Sequence, residues 1–91
     1  MITPQTCRAG RGLLDWTQRQ LADAARVGLS TIKSFESGKS IPFLNNLAAI
    51  QTALEAAGVE FIAENGGGPG VRLRKARATE PTGLKSEPNG E

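Results

Sequence analysis

Ninety-one residues with 11 basic and 9 acidic side chains, a net charge of +2, one cysteine and neither histidine nor tyrosine suffice for one small domain and leave little catalytic chemistry. Such a chain buries only roughly 60 to 65 per cent of the surface its unfolded state exposes, so its stability is modest or shared with a partner. Without the common general bases, Cys/His pairs or zinc-ligand clusters, neither an enzyme nor a bound metal or cofactor is expected. There is no internal disulfide, no signal peptide and no apolar run near the roughly 20 residues of a membrane span, so a soluble cytoplasmic protein is expected.

Thr3 followed by Pro4 opens the first helix, a hydroxyl for the free amide groups and then a proline in the first turn. The helix should run to about Leu14. Gly10 and Gly12 within it each cost roughly 0.5 to 1 kcal/mol relative to alanine, so packing must hold it and it is the soft element. Cys7 shares a face with Gly10 and Leu14 and reads first as a small buried hydrophobe. A disulfide-linked dimer is the competing reading.

Residues 17–38 carry two short helical patterns joined by about four residues. That arrangement holds its second helix against a surface, most often the major groove of DNA. Thr17 caps a helix from Gln18 to about Ala25, buried through Leu21, Ala22 and Ala25. Arg26-Val27-Gly28 forms the turn, and a third helix runs from about Leu29 to Ser37 with Ile32 and Phe35 facing inward. Gly38 ends it as a left-handed cap. After Pro42, Asn45 or Asn46 caps a fourth helix whose Leu47, Ile50 and Leu54 close the core, and Gly58 stops it.

Beyond Gly58 the period changes. Val59-Glu60-Phe61-Ile62 and Val71-Arg72-Leu73-Arg74 largely alternate apolar with polar, which predicts a short β-hairpin with Val59, Phe61, Val71 and Leu73 on one face. A lone hairpin is marginal in water, so that face must cover the helices or meet a second subunit. The GGGPG run at 66–70 has no following Lys-Ser/Thr and opens no helix, so it reads as the hairpin loop rather than a phosphate cradle. The carboxylates Asp15, Asp23, Glu36, Glu55, Glu60 and Glu64 show no calcium-loop spacing and read as solvated faces and ion-pair partners. Residues 75–91 have a single large hydrophobe, Leu84, and are expected to be a disordered tail. The expected organisation is a mainly α domain over 1–74, with four to five helices within 3–58 and the hairpin at about 59–74, followed by the tail.

The motifs T-Q-x-x-L-A-x-x-A-x-V at 17–27 and S-T-I-x-x-F-E-x-G at 30–38, with the apolar pattern of the fourth helix, make residues 3–58 resemble the helix-turn-helix domain of the phage repressor and Cro (xenobiotic-response-element) family. Residues 59–74 resemble a C-terminal hairpin found in some bacterial members. The resemblance implies a small transcriptional regulator that binds operator DNA through its third helix as a homodimer, on an inverted repeat with half-sites about 34 Å apart. It places base-reading positions at Leu29, Ser30, Lys33 and Ser34, and phosphate contacts at Thr17, Gln18, Ser37 and Lys39. It also implies an ion pair between Arg11 and Glu36, although Arg11 reads equally as a phosphate ligand, since a buried pair needs good geometry to offset desolvation.

This chain departs from the family in two places. Arg26 stands where the turn usually has glycine, at a cost on the order of 1 kcal/mol in a left-handed conformation, and Gly28 replaces the usual serine cap. A displaced or mobile turn is therefore expected. Arg26 reads either as reaching a phosphate or acidic partner or as a solvated arginine, and Gln18 either as a phosphate ligand or as an ordinary first-turn residue. Lys33 can donate to guanine, the serines to several bases and Leu29 can touch a thymine methyl, but no Arg, Asn or Gln lies on the third helix to make a bidentate base contact. That weak face supports a second reading. The same helix surface, with Leu29 exposed among small residues, would dock onto another regulator and inhibit it as an antiactivator.

Overall fold

The computed structural model describes residues 2–63 and 66–74. Each of the first two helices starts where a threonine can accept from the backbone. Thr3 and Thr6 form a reciprocal capping box ahead of α1 (Pro4–Leu14), and Thr17 and Gln20 form another ahead of α2 (Gln18–Ala25). After the turn come α3 (Leu29–Glu36), α4 (Leu44–Ala56) and an antiparallel pair, β1 (Val59–Ile62) and β2 (Gly70–Leu73). Among the described residues the helices number four, and the expected tail at 75–91, like Glu64, lies outside them.

One expected boundary is corrected. Neither Asn45 nor Asn46 caps α4: its N-cap is Phe43, whose carbonyl accepts from the amides of Asn46 and Leu47 at 2.9 and 3.0 Å. Asn45 instead spends its side-chain oxygen on the next amide, at 3.0 Å. Burial of Leu47 in the core puts a helical turn ahead of it, and a backbone carbonyl closes that turn without a side-chain cap.

The interior is built from the expected stripes. Cys7, Leu21, Ile32, Ile50, Leu54 and Val59 are fully buried, and Ala22, Ala25, Phe35, Leu47 and Ile2 complete the core. Each large aliphatic side chain so placed contributes about 1.5–3 kcal/mol of apolar burial. Gly10 faces the core, and a Cβ there would meet Leu54 and Val59 side chains at 3.5 Å, an ordinary van der Waals contact, so the helix has room for alanine at this position.

The hairpin meets the helices. Val59 pairs with Leu73 and Phe61 with Val71, and Val59, Phe61 and Val71 pack on the core while Leu73 remains 48% exposed. On the other face, Glu60 opposite Arg72 makes an exposed ion pair at 2.8 Å. Among the described residues no helix is long and apolar enough to cross a membrane, and no group of three or more His, Cys, Asp or Glu gathers as for a metal ion.

Candidate nucleic-acid interface

The third helix is held by a buried carboxylate. Glu36, the last residue of α3, is 3% exposed and receives Arg11 from α1 side-on, Nε on Oε2 at 2.8 Å and Nη2 on Oε1 at 2.7 Å. The Gln18 amide, in the first turn of α2, donates to Oε1 at 3.0 Å, and the Cys7 thiol donates to Oε2 at 3.1 Å. Arg8 adds a bond to the Glu36 backbone carbonyl, and Arg11 Nη1 reaches the Trp16 carbonyl at 2.9 Å. Both carboxylate oxygens are thus shared among donors from two other helices, which fixes where α3 sits against them.

Protonation follows from the same contacts. Burial by itself would raise the Glu36 pKa, but the hydrogen bonds from Arg11, Cys7 and Gln18 outweigh it and hold the carboxyl below its ordinary value. Burial first, then the bond to Glu36, pushes the Cys7 thiol far above its ordinary range. Cys7 is therefore a protonated donor inside the domain, and its burial removes the basis for a disulfide link between chains.

The turn is not displaced. Arg26 itself takes the left-handed corner, φ 59° and ψ 43°, and its amide closes onto the carbonyls of Ala22 and Asp23. Gly28 takes the N-cap position of α3 without any side-chain bond, and its carbonyl accepts from Thr31 and Ile32 at 3.1 and 3.3 Å. Gly38, φ 81°, follows the C-terminal end of α3.

Of the positions marked for base reading, Ser30 and Lys33 are exposed and Ser34 is half-buried. Leu29 is not the exposed side chain expected: it is half-buried and packs against the core, as α3 packs against α2. Of the positions marked for phosphate, Thr17, Ser37 and Lys39 are exposed and Gln18 is half-buried, and all but Lys39 have hydrogen-bond partners within the domain. Thr17 accepts from the Gln20 amide at 3.0 Å, Ser37 donates to the Ser34 carbonyl at 3.1 Å, and the Gln18 amide is turned inward onto Glu36 rather than outward. The inward turn has a physical reason, since a buried carboxylate left with an unfilled lone pair costs more than an exposed amide gains.

Sequence reasoning missed the surface beside this helix. Ile41, Phe43 and Leu44 are 81%, 82% and 70% exposed, on the loop and first turn that follow α3. Leu44 lies three residues before Leu47 and shares its stripe, so periodicity would bury it; the first turn of α4 projects past the core instead. The signal available was Pro42, which holds this short segment out of the helix.

A short helix carried on a capped turn, its inner face in the core and its outer face of Ser30 and Lys33 in solvent, defines a helix-turn-helix module. The helix-turn-helix family model matches residues 8–60, and the chain belongs to that family, one of DNA-binding transcription regulators rather than enzymes. Among curated proteins it is similar to the cryptic phage CTXphi transcriptional repressor RstR of Vibrio cholerae serotype O1, 40% identical over 45 residues. That stretch is 50% of this chain, and the chain spans 40% of the relative's length.

Proposed function

We propose that this protein is a transcriptional regulator that lays the exposed side of α3 in the major groove of operator DNA, acting as a homodimer. The observation that carries the reading is electrostatic. Between Val27 and Leu54 the only carboxylate is Glu36, and it is buried and neutralised by Arg11, so the charges that α3 and its following loop show to solvent are those of Lys33 and Lys39. Ser30 and Lys33 supply donors to base edges, and Lys39 supplies a cation for the backbone. The dimer rests on the likeness to phage repressors, whose two-fold symmetry matches half-sites about 34 Å apart.

Inhibition of another regulator through Leu29 has less support, because that side chain is half-buried against the core rather than exposed. Fluorescence anisotropy with a pool of random duplexes at about 50 mM salt tests the function. Binding that weakens steeply as salt rises is expected, because each neutralised phosphate releases counterions; absence of binding at low salt overturns the reading.

A further inference from the structure

We propose that the basic run at residues 72–77 is a second contact with the DNA backbone, supplying a sequence-independent attraction that the helical part of the chain lacks. This deepens the reading of the protein as an operator-binding regulator and rests on it. The observation is where the charge lies. Residues 1–71 carry six basic and six acidic side chains, so the part of the chain that holds α1 to α4 is neutral. Residues 78–91 carry one basic and three acidic side chains, while Arg72, Arg74, Lys75 and Arg77 bring four cations into six residues with no carboxylate among them. The chain's net charge of +2 is positive only because of this run. Dense basic runs of this length are the electrostatic footprint of nucleic-acid contact.

The structure places the start of the run. Arg72, in β2, is exposed and meets Glu60 at 2.8 Å on a solvated surface, where an ion pair is worth little and a phosphate can compete for the guanidinium. Arg74 is exposed as well; its amide closes onto the Gly58 carbonyl at 2.7 Å, and its guanidinium makes only a long 3.5 Å contact with the Glu55 carbonyl. The first two cations therefore stand on hydrogen-bonded backbone with their side chains in solvent. β2 packs on β1 and α1 rather than on α3, so a phosphate held here lies outside the groove that α3 occupies.

The density of charge chooses the occupant. Duplex DNA presents about one negative charge per 1.7 Å of its axis, which suits closely spaced cations and needs no apolar pocket. A second copy of the chain offers no such complement, because no two of its nine carboxylates lie closer than four residues apart. A membrane surface calls for an apolar face beside the cations, and the run has Leu73 alone.

The test compares the full chain with the triple variant Arg74→Gln, Lys75→Gln, Arg77→Gln, titrated with random and selected duplexes across a salt series. The variant should bind random duplex about tenfold or more weakly at about 50 mM salt, and its slope of log affinity against log salt should fall by about 2 to 3, the loss of three phosphate contacts at roughly 0.9 each. The ratio of selected to random affinity should hold, because backbone contacts carry no sequence information. The substitutions leave the Arg74 amide on Gly58, and Arg74→Lys with Arg77→Lys should keep the slope, which separates lost charge from lost shape. A slope lowered by less than about 0.9, with the unaltered chain still binding, overturns this inference and leaves the operator reading standing. Vesicles rich in phosphatidylserine that bind the chain and not the variant would in that case assign the run to a membrane surface. A collapsed ratio of selected to random affinity also overturns it, since the run would then read bases. Failure of the unaltered chain to bind any duplex at about 50 mM salt removes both readings.

Discussion

Arg11 and Glu36 meet side-on, with both carboxylate oxygens taken by one guanidinium at 2.7 and 2.8 Å, so the last turn of α1 and the last residue of α3 are locked in direction as well as distance. Removing one partner of such a pair leaves a buried charge or an orphaned donor and costs about 3–5 kcal/mol. Glu36→Gln should therefore lower the urea midpoint by a large fraction of the domain's stability. Arg11→Lys keeps the charge but loses the fork and should fall between. The double variant Arg11→Met with Glu36→Leu should recover most of the loss. An unchanged midpoint in Glu36→Gln would show that the pair does not hold the fold.

The same carboxyl gives the stability a pH dependence of definite sign. The folded pKa of Glu36 lies below its ordinary value, so the stabilisation is fully present above the unfolded pKa of about 4.3 and is lost as pH falls through the folded one. Thermal unfolding followed from neutral pH to about pH 3 should show the midpoint dropping below about pH 4.3. The drop should be smaller in the Arg11→Met, Glu36→Leu double variant. Equal slopes in the two proteins would assign the acid loss to other carboxylates.

Cys7 should be inert while the domain is folded. It is fully buried, and its thiol keeps its proton and donates it to Glu36 Oε2. Thiol alkylation requires the thiolate, which burial and the neighbouring carboxylate both suppress. Iodoacetamide at about pH 8, close to the ordinary thiol pKa, should label the protein only after urea is added. Rapid labelling without denaturant would mean that α1 opens readily, as its two glycines would allow.

The turn stores correctable strain. Arg26 sits at φ 59°, a conformation that costs a non-glycine residue about 1–2 kcal/mol. Arg26→Gly relieves it at an entropic cost of roughly 0.5–1 kcal/mol, so the variant should match or exceed the parent by up to about 1 kcal/mol. Gly28 already has extended dihedrals, and a Cβ there meets its nearest side-chain atoms at 3.7 and 3.8 Å. Gly28→Ser should then add about 0.5–1 kcal/mol from a new cap and a less flexible unfolded chain. A destabilised Gly28→Ser would mean that the turn cannot present the hydroxyl to the α3 amides.

The helices and hairpin could be read from the chain because their signals are local: a threonine before each of α1 and α2, apolar residues at helical spacing, then a largely alternating pattern. The site was less legible because its chemistry is settled by residues far apart in sequence. Gln18 looks like an outward first-turn amide until Glu36 is folded beside it, and Cys7 like plain core until its thiol finds the same carboxylate. The start of α4 failed for the opposite reason. Two adjacent asparagines advertise a cap, yet the carbonyl of Phe43 closes the turn, and no pattern in the chain separates Leu44, which overhangs the bundle, from Leu47, which is buried.

Lys33 and Lys39 should separate base recognition from backbone attraction. Lys39 follows Gly38 on an exposed loop, where a cation adds affinity without sequence information. Lys39→Ala should weaken all duplexes alike and reduce the slope of log affinity against log salt by about 0.9, the loss of one phosphate contact. Lys33 projects from the middle of α3, within reach of a guanine edge in the proposed docking. Lys33→Ala should cost about 1–3 kcal/mol on a selected operator, relax the preference at one position and leave random-duplex binding nearly intact. Anisotropy titrations of both variants on selected and random duplexes give the comparison directly. If the two substitutions affect selected and random DNA identically, Lys33 reads no base, and α3 contributes charge rather than specificity.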